Sequence, residues 1–436
     1  MDLGARWTFI LLRYYYRSEN VMSIVTSEEK VLGLIDEYKN DIVALMQKLV
    51  QIPSYSGEET AIGDFLLEEV QKFDLEDVQI VQELSGRPNV YAHYSGKTGK
   101  PSLTVYGHYD TVPSGDITKW TYGPFSGQIV ENRIYGRGVS DHKFPIPPLL
   151  YAIKAIKDAG LTLNGDISFI FVGDEEFGGG RGTKVVVDAG LCDTDYFLYS
   201  GGGRDGKTIG LASNGRRYFR IFVKGRTQHT GRNDQGKNAI LEAMKLIPRL
   251  EELRKEVNNR RLIFKAGDHE IEGRARFSIN KIHAFTTGNN VPDICEIQID
   301  RRLIPQHETY ESGQAEIQAV LDTMKSDDPE FEARLEVVPD RNMLFSVSVP
   351  DSPIFKSLKR SAAKVLGEEP IASKGPTGGS SDHGWWLAKY PDRPFVSYGC
   401  ARGGNTHTYD EYATIDGLID NTKIYALLMM DLLGVA

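Results

Sequence analysis

The chain is short of cysteine and has no long apolar run, and both shortages narrow its class. Its three cysteines, Cys192, Cys295 and Cys400, are odd in number and far apart. They supply neither a disulfide framework nor a pair spaced to grip a metal, which favours a reducing cytoplasm. The apolar stretch Trp7 to Leu12 is flanked by Arg6 and Arg13 and falls well short of the roughly 20 residues a membrane helix needs. No small-residue cleavage site follows it. Residues 1–26 therefore read as an N-terminal extension, with a more ordinary start near Met22. An excess of positive charge is also missing: 60 acidic against 51 basic residues leave a net charge of -9. That balance argues against nonspecific binding to nucleic acid or to anionic membrane. Internal repeats and low-complexity tracts are absent too. What remains is an ordinary globular composition, long enough for two or more domains with sizeable cores.

Short β-branched runs alternate with helical patterns from residue 27 to about residue 213. This predicts an α/β catalytic domain built on a mainly parallel sheet. Ser27 is expected to cap a helix running to about Leu49, with Leu32, Ile35, Ile42, Leu45 and Met46 turned inward. Between residues 214 and 338 the pattern changes to strand, helix, strand, strand, helix, strand. The strands are Arg217 to Val223, Phe277 to Phe285, Ile294 to Arg301 and Arg334 to Val338; the helices are Ala239 to Arg254 and Ser312 to Met324. That order is ferredoxin-like (βαββαβ) and marks an inserted domain. Residues 339–436 then resume the first domain.

The chemistry lies where strands should give way to loops. The strand pattern SLTVY, Ser102 to Tyr106, breaks into GHYDTVP, leaving His108 at a strand end. Asp110, two residues on, is placed to accept a hydrogen bond from the ring nitrogen that does not face a metal. In GRGVSDHK, Gly136 and Gly138 allow a tight turn before Asp141. The apolar run Ile167 to Val172 leads into DEE, Asp174 to Glu176, followed by Gly178, Gly179 and Gly180. Two adjacent carboxylates on a turn can divide the work, one binding a cation while the other takes a proton from water that the cation has acidified. GGNTHTYDEY adds His407, with Asp410 and Glu411 close behind. Together these groups read as a hydrolytic metal site.

These strings, with QHTGRNDQGKNAI at Gln228 to Ile240, NNVPD at Asn289 to Asp293 and GGSSDH at Gly378 to His383, resemble in order the site motifs of the M20 family of metallopeptidases and amidohydrolases. The resemblance covers most of the chain. It implies that Glu175 is the general base, that Asp141 is the carboxylate shared by two metals, and that Glu176 and His407 complete one metal's shell. His108 would serve the other metal, together with an acidic residue six positions after the Asp of a DYxxxx strand. Here that strand is DYFLYS from Asp195, and the ligand position holds Gly201.

Three readings of that glycine stand open. Asp205 replaces the lost ligand, or the protein is an inactive relative, or one metal survives on Asp141, Glu176 and His407. The third is preferred, because three ligands with an open position form a catalytic pattern. It frees His108 to support the site or touch substrate, and it gives Arg204 the role of a fixed positive charge near the lost metal. The expected cofactor is one labile divalent transition metal per subunit, zinc or manganese first, with cobalt or iron also compatible.

The resemblance further implies that His229 reaches a partner subunit's active site and polarises the substrate there, so a homodimer or higher homo-oligomer is expected. Asn290 and Arg302 match positions that hold a substrate carboxylate, which predicts a small carboxylate-bearing substrate. Hydrolysis of a carbon–nitrogen bond is the leading expectation. The alternatives are an aminohydrolase that replaces the aryl amine of a nitroanthranilate-type substrate by hydroxide, and a non-catalytic binding protein on the same scaffold. Retention of Glu175 argues against the last. His142 and Phe144 depart from the family pattern, and Phe144 either narrows the pocket or packs under the helix that Pro145, Pro147 and Pro148 begin. His383, Trp385 and Trp386 contact an aromatic substrate or fill core. His93, His269, His283 and His307 carry no motif.

Overall fold

The computed structural model describes residues 26–436, except 202–204, 285, 287 and 376–378. Residues 1–25 of the extension read at 1–26, and Arg204, lie outside the described residues. Thr26, not Ser27, caps the first helix: its hydroxyl accepts from Glu29 N–H while the Glu29 carboxylate takes Thr26 N–H. The single helix expected here is two, α1 (Ser27–Glu37) and α2 (Lys39–Gln51). They meet at Tyr38, whose hydroxyl bonds Asp158 at 2.5 Å. The bend lets both halves pack on one helix, α3 (Ile146–Asp158). Their inward residues, among them Ile35, Ile42, Leu45 and Met46, are buried as read.

The strands that position the site follow in chain order. They are β1 (Glu76–Val81), β2 (Asn89–Tyr94), β3 (Gly99–His108), β4 (Gly165–Val172) and β5 (Tyr196–Tyr199). Next come β6 (Gly215–Lys224), the hairpin β7 (Arg261–Ala266) and β8 (His269–Arg274), β9 (Arg276–Ala284), β10 (Ile294–Leu303), β11 (Ala333–Val337) and β12 (Phe395–Ser397). The main sheet has the order β1-β2-β4-β3-β5-β12. Its β4, β3, β5 and β12 run parallel, and β1 and β2 form an antiparallel edge.

Strands covered on both faces need no polar alternation, and β3 and β4 are mostly apolar past their first residues, with Thr104 and Ser168 as the buried exceptions. Leu103 and Val105 of β3, with Ile167, Phe169 and Phe171 of β4, join the core that α3 and the C-terminal helix α4 (Ile415–Leu433) cover. The alternate residues Tyr106, Ile170 and Val172 enter a smaller core with Phe197 and Trp386 on the other face. His108, the DEE turn and Gly201 all follow the carboxyl ends of parallel strands, so the topology gathers them at one rim.

Between Gly215 and Val337 the chain builds a second sheet, antiparallel throughout, in the order β9-β10-β6-β11. The helices Ala239–Asn259 and Tyr310–Asp327 pack on it. The six elements read from sequence are therefore present in sequence order. The β7–β8 hairpin was not anticipated, although two alternating runs meet at Gly267, whose φ of +60° marks the turn. Among the described residues no helix is long and apolar enough to cross a membrane.

Candidate metal centre

Asp141, Glu176 and His407 bring one ligand atom each to within 4.8 Å of one another. His407 Nε2 lies 2.9 Å from Glu176 Oε1 and 3.2 Å from Asp141 Oδ2. Those two carboxylates raise the imidazole pKa to about 10, against a smaller opposing effect of burial. Two hard oxygens and one borderline nitrogen suit a divalent transition ion. A further sign of fit is His108 Nε2, a buried nitrogen that has no hydrogen-bond partner and stands 3.4 Å from Asp141 Oδ1.

The loop carrying Asp141 is held by Glu411, which the sequence marks only as an acidic residue close behind His407. Glu411 is fully buried and accepts from Ser140 N–H and Asp141 N–H at 3.0 Å each, and from Gly138 N–H at 3.1 Å. Arg137 closes the arrangement with an ion pair at 2.7 Å. The segment that supplies His407 thus also anchors the carboxylate opposite it. The clue lay in the acidic residue four positions after His407.

Asp110 does more than orient His108. Its Oδ1 and its main-chain O both sit 3.2 Å from His108 Nδ1. The same carboxylate accepts Glu175 N–H at 3.1 Å, Glu176 N–H at 3.2 Å and the Ser56 hydroxyl at 2.6 Å. Burial raises its pKa, but His108 and these donors outweigh that and leave it below the usual carboxylate value. Asp174, in left-handed backbone at φ +68°, pins the other side of the turn through Arg87 and Arg181 N–H.

Glu175 is 7% exposed. Burial first, then the charges of Asp382, Glu176 and Asp141, push its pKa well up, against the opposing charge of His108. Its Oε2 lies 3.9 Å from His108 Nε2. Burial also lowers the His108 pKa, yet Asp110 and Asp141 together hold it well above the ordinary imidazole value. A bound cation would oppose both upward shifts, favouring the ionised carboxylate and the neutral ring.

The space that a side chain at residue 201 would need is filled. A Cβ built on Gly201 would lie 2.6 Å from Tyr199 Cε1 and closer still to His142 Nε2. His142 is buried and stacks on Tyr199, with ring centroids 5.5 Å apart and planes at 12°, and on His108 at 5.0 Å and 22°. Two departures from the family pattern, His142 and Gly201, are thus one packing arrangement. Asp205 lines the cavity, but its Oδ1 accepts Lys207 N–H at 3.0 Å and it is not part of the three-ligand cluster.

An open cavity of about 1160 Å³ joins this rim to the second sheet. Asp141, Glu175, Glu176, His407 and Arg302 line it, while His108 and Asp110 lie buried and outside its lining. Arg302, matched to a carboxylate-holding position, is paired within the chain: Asp300 engages it through two bonds, at 2.7 and 3.0 Å. His229 and Asn290 are away from the cavity lining and bridge to each other, with His229 Nδ1 accepting Gly231 N–H at 3.0 Å.

Phe144 does both things considered for it, packing in the core and touching the cavity. His383, Trp385 and Trp386 do not line the cavity. Trp386 Nε1 donates to Cys192 O and Trp385 Nε1 to Gly178 O, each at 2.8 Å. Arg87, Ser56 and Arg216 went unread because no local pattern marks a residue that braces a distant turn.

A carboxylate and imidazole cluster at the carboxyl ends of a mainly parallel sheet defines the class, a metal-dependent hydrolytic enzyme. More narrowly, the model of peptidase family M20/M25/M40 matches residues 104–431, and the chain belongs to that family. It is 32% identical over 218 residues to a succinyl-diaminopimelate desuccinylase of Methylorubrum extorquens, which covers 48% of this chain and 56% of that one. A second desuccinylase, from Hydrogenovibrio crunogenus, is 27% identical over 406 residues, covering 90% of this chain and 99% of the relative. In fold the chain is similar to the dipeptidase Dug1p of Saccharomyces cerevisiae, with a TM-score of 0.77 at 18% identity, covering 94% of this chain and 99% of that one.

Proposed function

We propose that this protein hydrolyses a carbon–nitrogen bond in a small carboxylate-bearing substrate, using one divalent metal per subunit and Glu175 as general base. The observation that carries the reading is the coexistence of an intact Asp141, Glu176 and His407 cluster with a Gly201 position closed by His142 and Tyr199. Asp141, Glu176 and His407 hold the ion, zinc or manganese before cobalt or iron. When bound, it supplies the Lewis acidity that brings the pKa of water down toward about 7. Glu175 takes the proton from the attacking water and returns it to the departing nitrogen. Asp110 fixes the His108 ring and, through two backbone N–H groups, the carboxylate pair. His108 supports the cluster from beneath.

Support for an amide substrate comes from the relatives, since desuccinylase and dipeptidase both name cleavage at an amide. The same reading divides the chain into a catalytic domain, 27–213 with 339–436, and an inserted dimerisation domain, 214–338, after an extension at 1–26. His229 and Asn290 then serve the partner subunit's site, which accords with their distance from the cavity of their own chain. A homodimer in the cytoplasm is the state proposed.

The deciding experiment is metal content per subunit, followed by an activity screen of acyl amino acids, dipeptides and anthranilate-type aryl amines. One ion with turnover of acyl amino acids or dipeptides is expected. Two ions would remove the one-metal reading, release of ammonia with conversion of an aryl amine to its hydroxyarene would identify the aminohydrolase instead, and neither ion nor turnover would leave a binding protein.

A further inference from the structure

Three arginines stand side by side across the second sheet, and two of them, Arg216 and Arg276, belong to none of the motifs. In register, Arg216 of β6 opposes Arg302 of β10, and Arg302 opposes Arg276 of β9. All three line the cavity, as do Glu175 and Glu176. Opposed strand residues lie about 5 Å apart, and like charges placed so repel. Only the central arginine is compensated, by Asp300. Among the described residues no carboxylate comes within 4.0 Å of the Arg216 or Arg276 guanidinium. Asp300, Glu175 and Glu176 also act on Arg216 at longer range, which leaves Arg276 as the guanidinium of the row with no carboxylate partner among the described residues.

The two ends of the row differ. Arg216 is buried, donates to Arg341 O at 3.0 Å and reaches toward Glu176 O at 3.5 Å, so it sits at the metal end. Arg276 is half-buried on the edge strand, and its guanidinium donates to Ala275 O at 2.9 Å. Ser278 and Asn280 continue the same strand face and also line the cavity. A planar guanidinium without a carboxylate partner, facing a cavity and beside another, matches a carboxylate.

We propose that Arg216, Arg302 and Arg276 form an anion rail that selects substrates bearing two carboxylates, with Arg276 holding the one farther from the reacting bond. The proposal rests on the hydrolase reading only in placing the reacting bond at the Asp141, Glu176 and His407 end.

The test is calorimetric titration of the full-length, zinc-loaded protein carrying Glu175→Gln, with N-acetyl-L-glutamate and N-acetyl-L-glutamine as probes. The two share a skeleton and differ by one negative charge. The glutamate probe should bind about tenfold tighter or better, and adding Arg276→Gln should bring the ratio to within about twofold. Arg276→Lys, which keeps the charge without the fork, should retain part of the preference at an unchanged melting temperature. Equal binding of both probes by the parent, or a preference that survives both Arg276 substitutions, would overturn the rail. Turnover by the unsubstituted enzyme is scored separately: hydrolysis without a charge preference sinks the rail alone, and a preference without hydrolysis supports the rail while removing the hydrolase reading.

Discussion

His407 Nε2 lies 2.9 Å from Glu176 Oε1, joining residues 231 positions apart. In the metal-free protein this contact is an ion pair, because Asp141 and Glu176 raise the His407 pKa to about 10. A cation must displace that proton. Uptake of zinc should therefore release protons, and apparent affinity should climb up to about tenfold per pH unit from neutrality toward pH 10. Titrations in buffers of different ionisation enthalpy measure both. The pair has a second consequence. The folded pKa stands above the unfolded value of 6.5, so the stabilisation is complete below about pH 6.5 and is lost as pH rises toward 10. The metal-free protein should lose melting temperature across that window more steeply than the loaded one.

Glu175→Gln should lower turnover by a factor of about 10² to 10⁴, the range a positioned proton acceptor contributes. Metal content should stay at one ion per chain, since Glu175 is outside the three-ligand cluster. A variant that still turned over at the parent rate would take the proton-transfer role from this residue.

Gly201→Glu should destabilise the fold by about 1 to 3 kcal/mol, the usual cost of overpacking, because the added side chain enters space held by His142 and Tyr199. Adding His142→Ala should recover part of the lost melting temperature and allow a second equivalent of zinc. Thermal melts and elemental analysis of the two variants decide it, and a Gly201→Glu protein as stable as the parent would show that the space is not closed.

Glu411→Gln should weaken metal binding by about 10- to 100-fold, as loss of a group supporting a ligand commonly does, with the ligands themselves intact. Glu411→Ala should go further and cost about 3 to 5 kcal/mol of stability, since it leaves Arg137 buried without its carboxylate. Competition with a chelator reads the first effect and denaturant titration the second.

Much of the site was legible because His108 and the DEE turn sit at strand-to-loop transitions and Asp141 and His407 in glycine-containing loops, and such patterns are local. Apolar runs ending in glycine and acidic residues identify His108, Asp141 and the DEE turn whatever the rest of the chain does. The expected helix from Ser27 failed at Tyr38 for the opposite reason. Its apolar spacing continues through the bend, and only the packing of Tyr38 against α3 divides it. The β7–β8 hairpin had a readable turn, yet the strand, helix, strand, strand pattern already appeared complete without it.

From the sequence alone come the element order, the apolar strands of the main sheet, the candidate ligands and the absence of a side chain at residue 201. Tertiary structure alone decided what that absence means, because His142 reaches residue 201 from 59 positions away. It also decided that Arg302 is paired and that Arg276 stands beside it, a matter of strand register rather than of either residue's neighbours in the chain. Periodicity reports which face a residue takes within its own element. Which side chains meet across elements depends on the packing and pairing of segments far apart in the chain, and no local pattern encodes it.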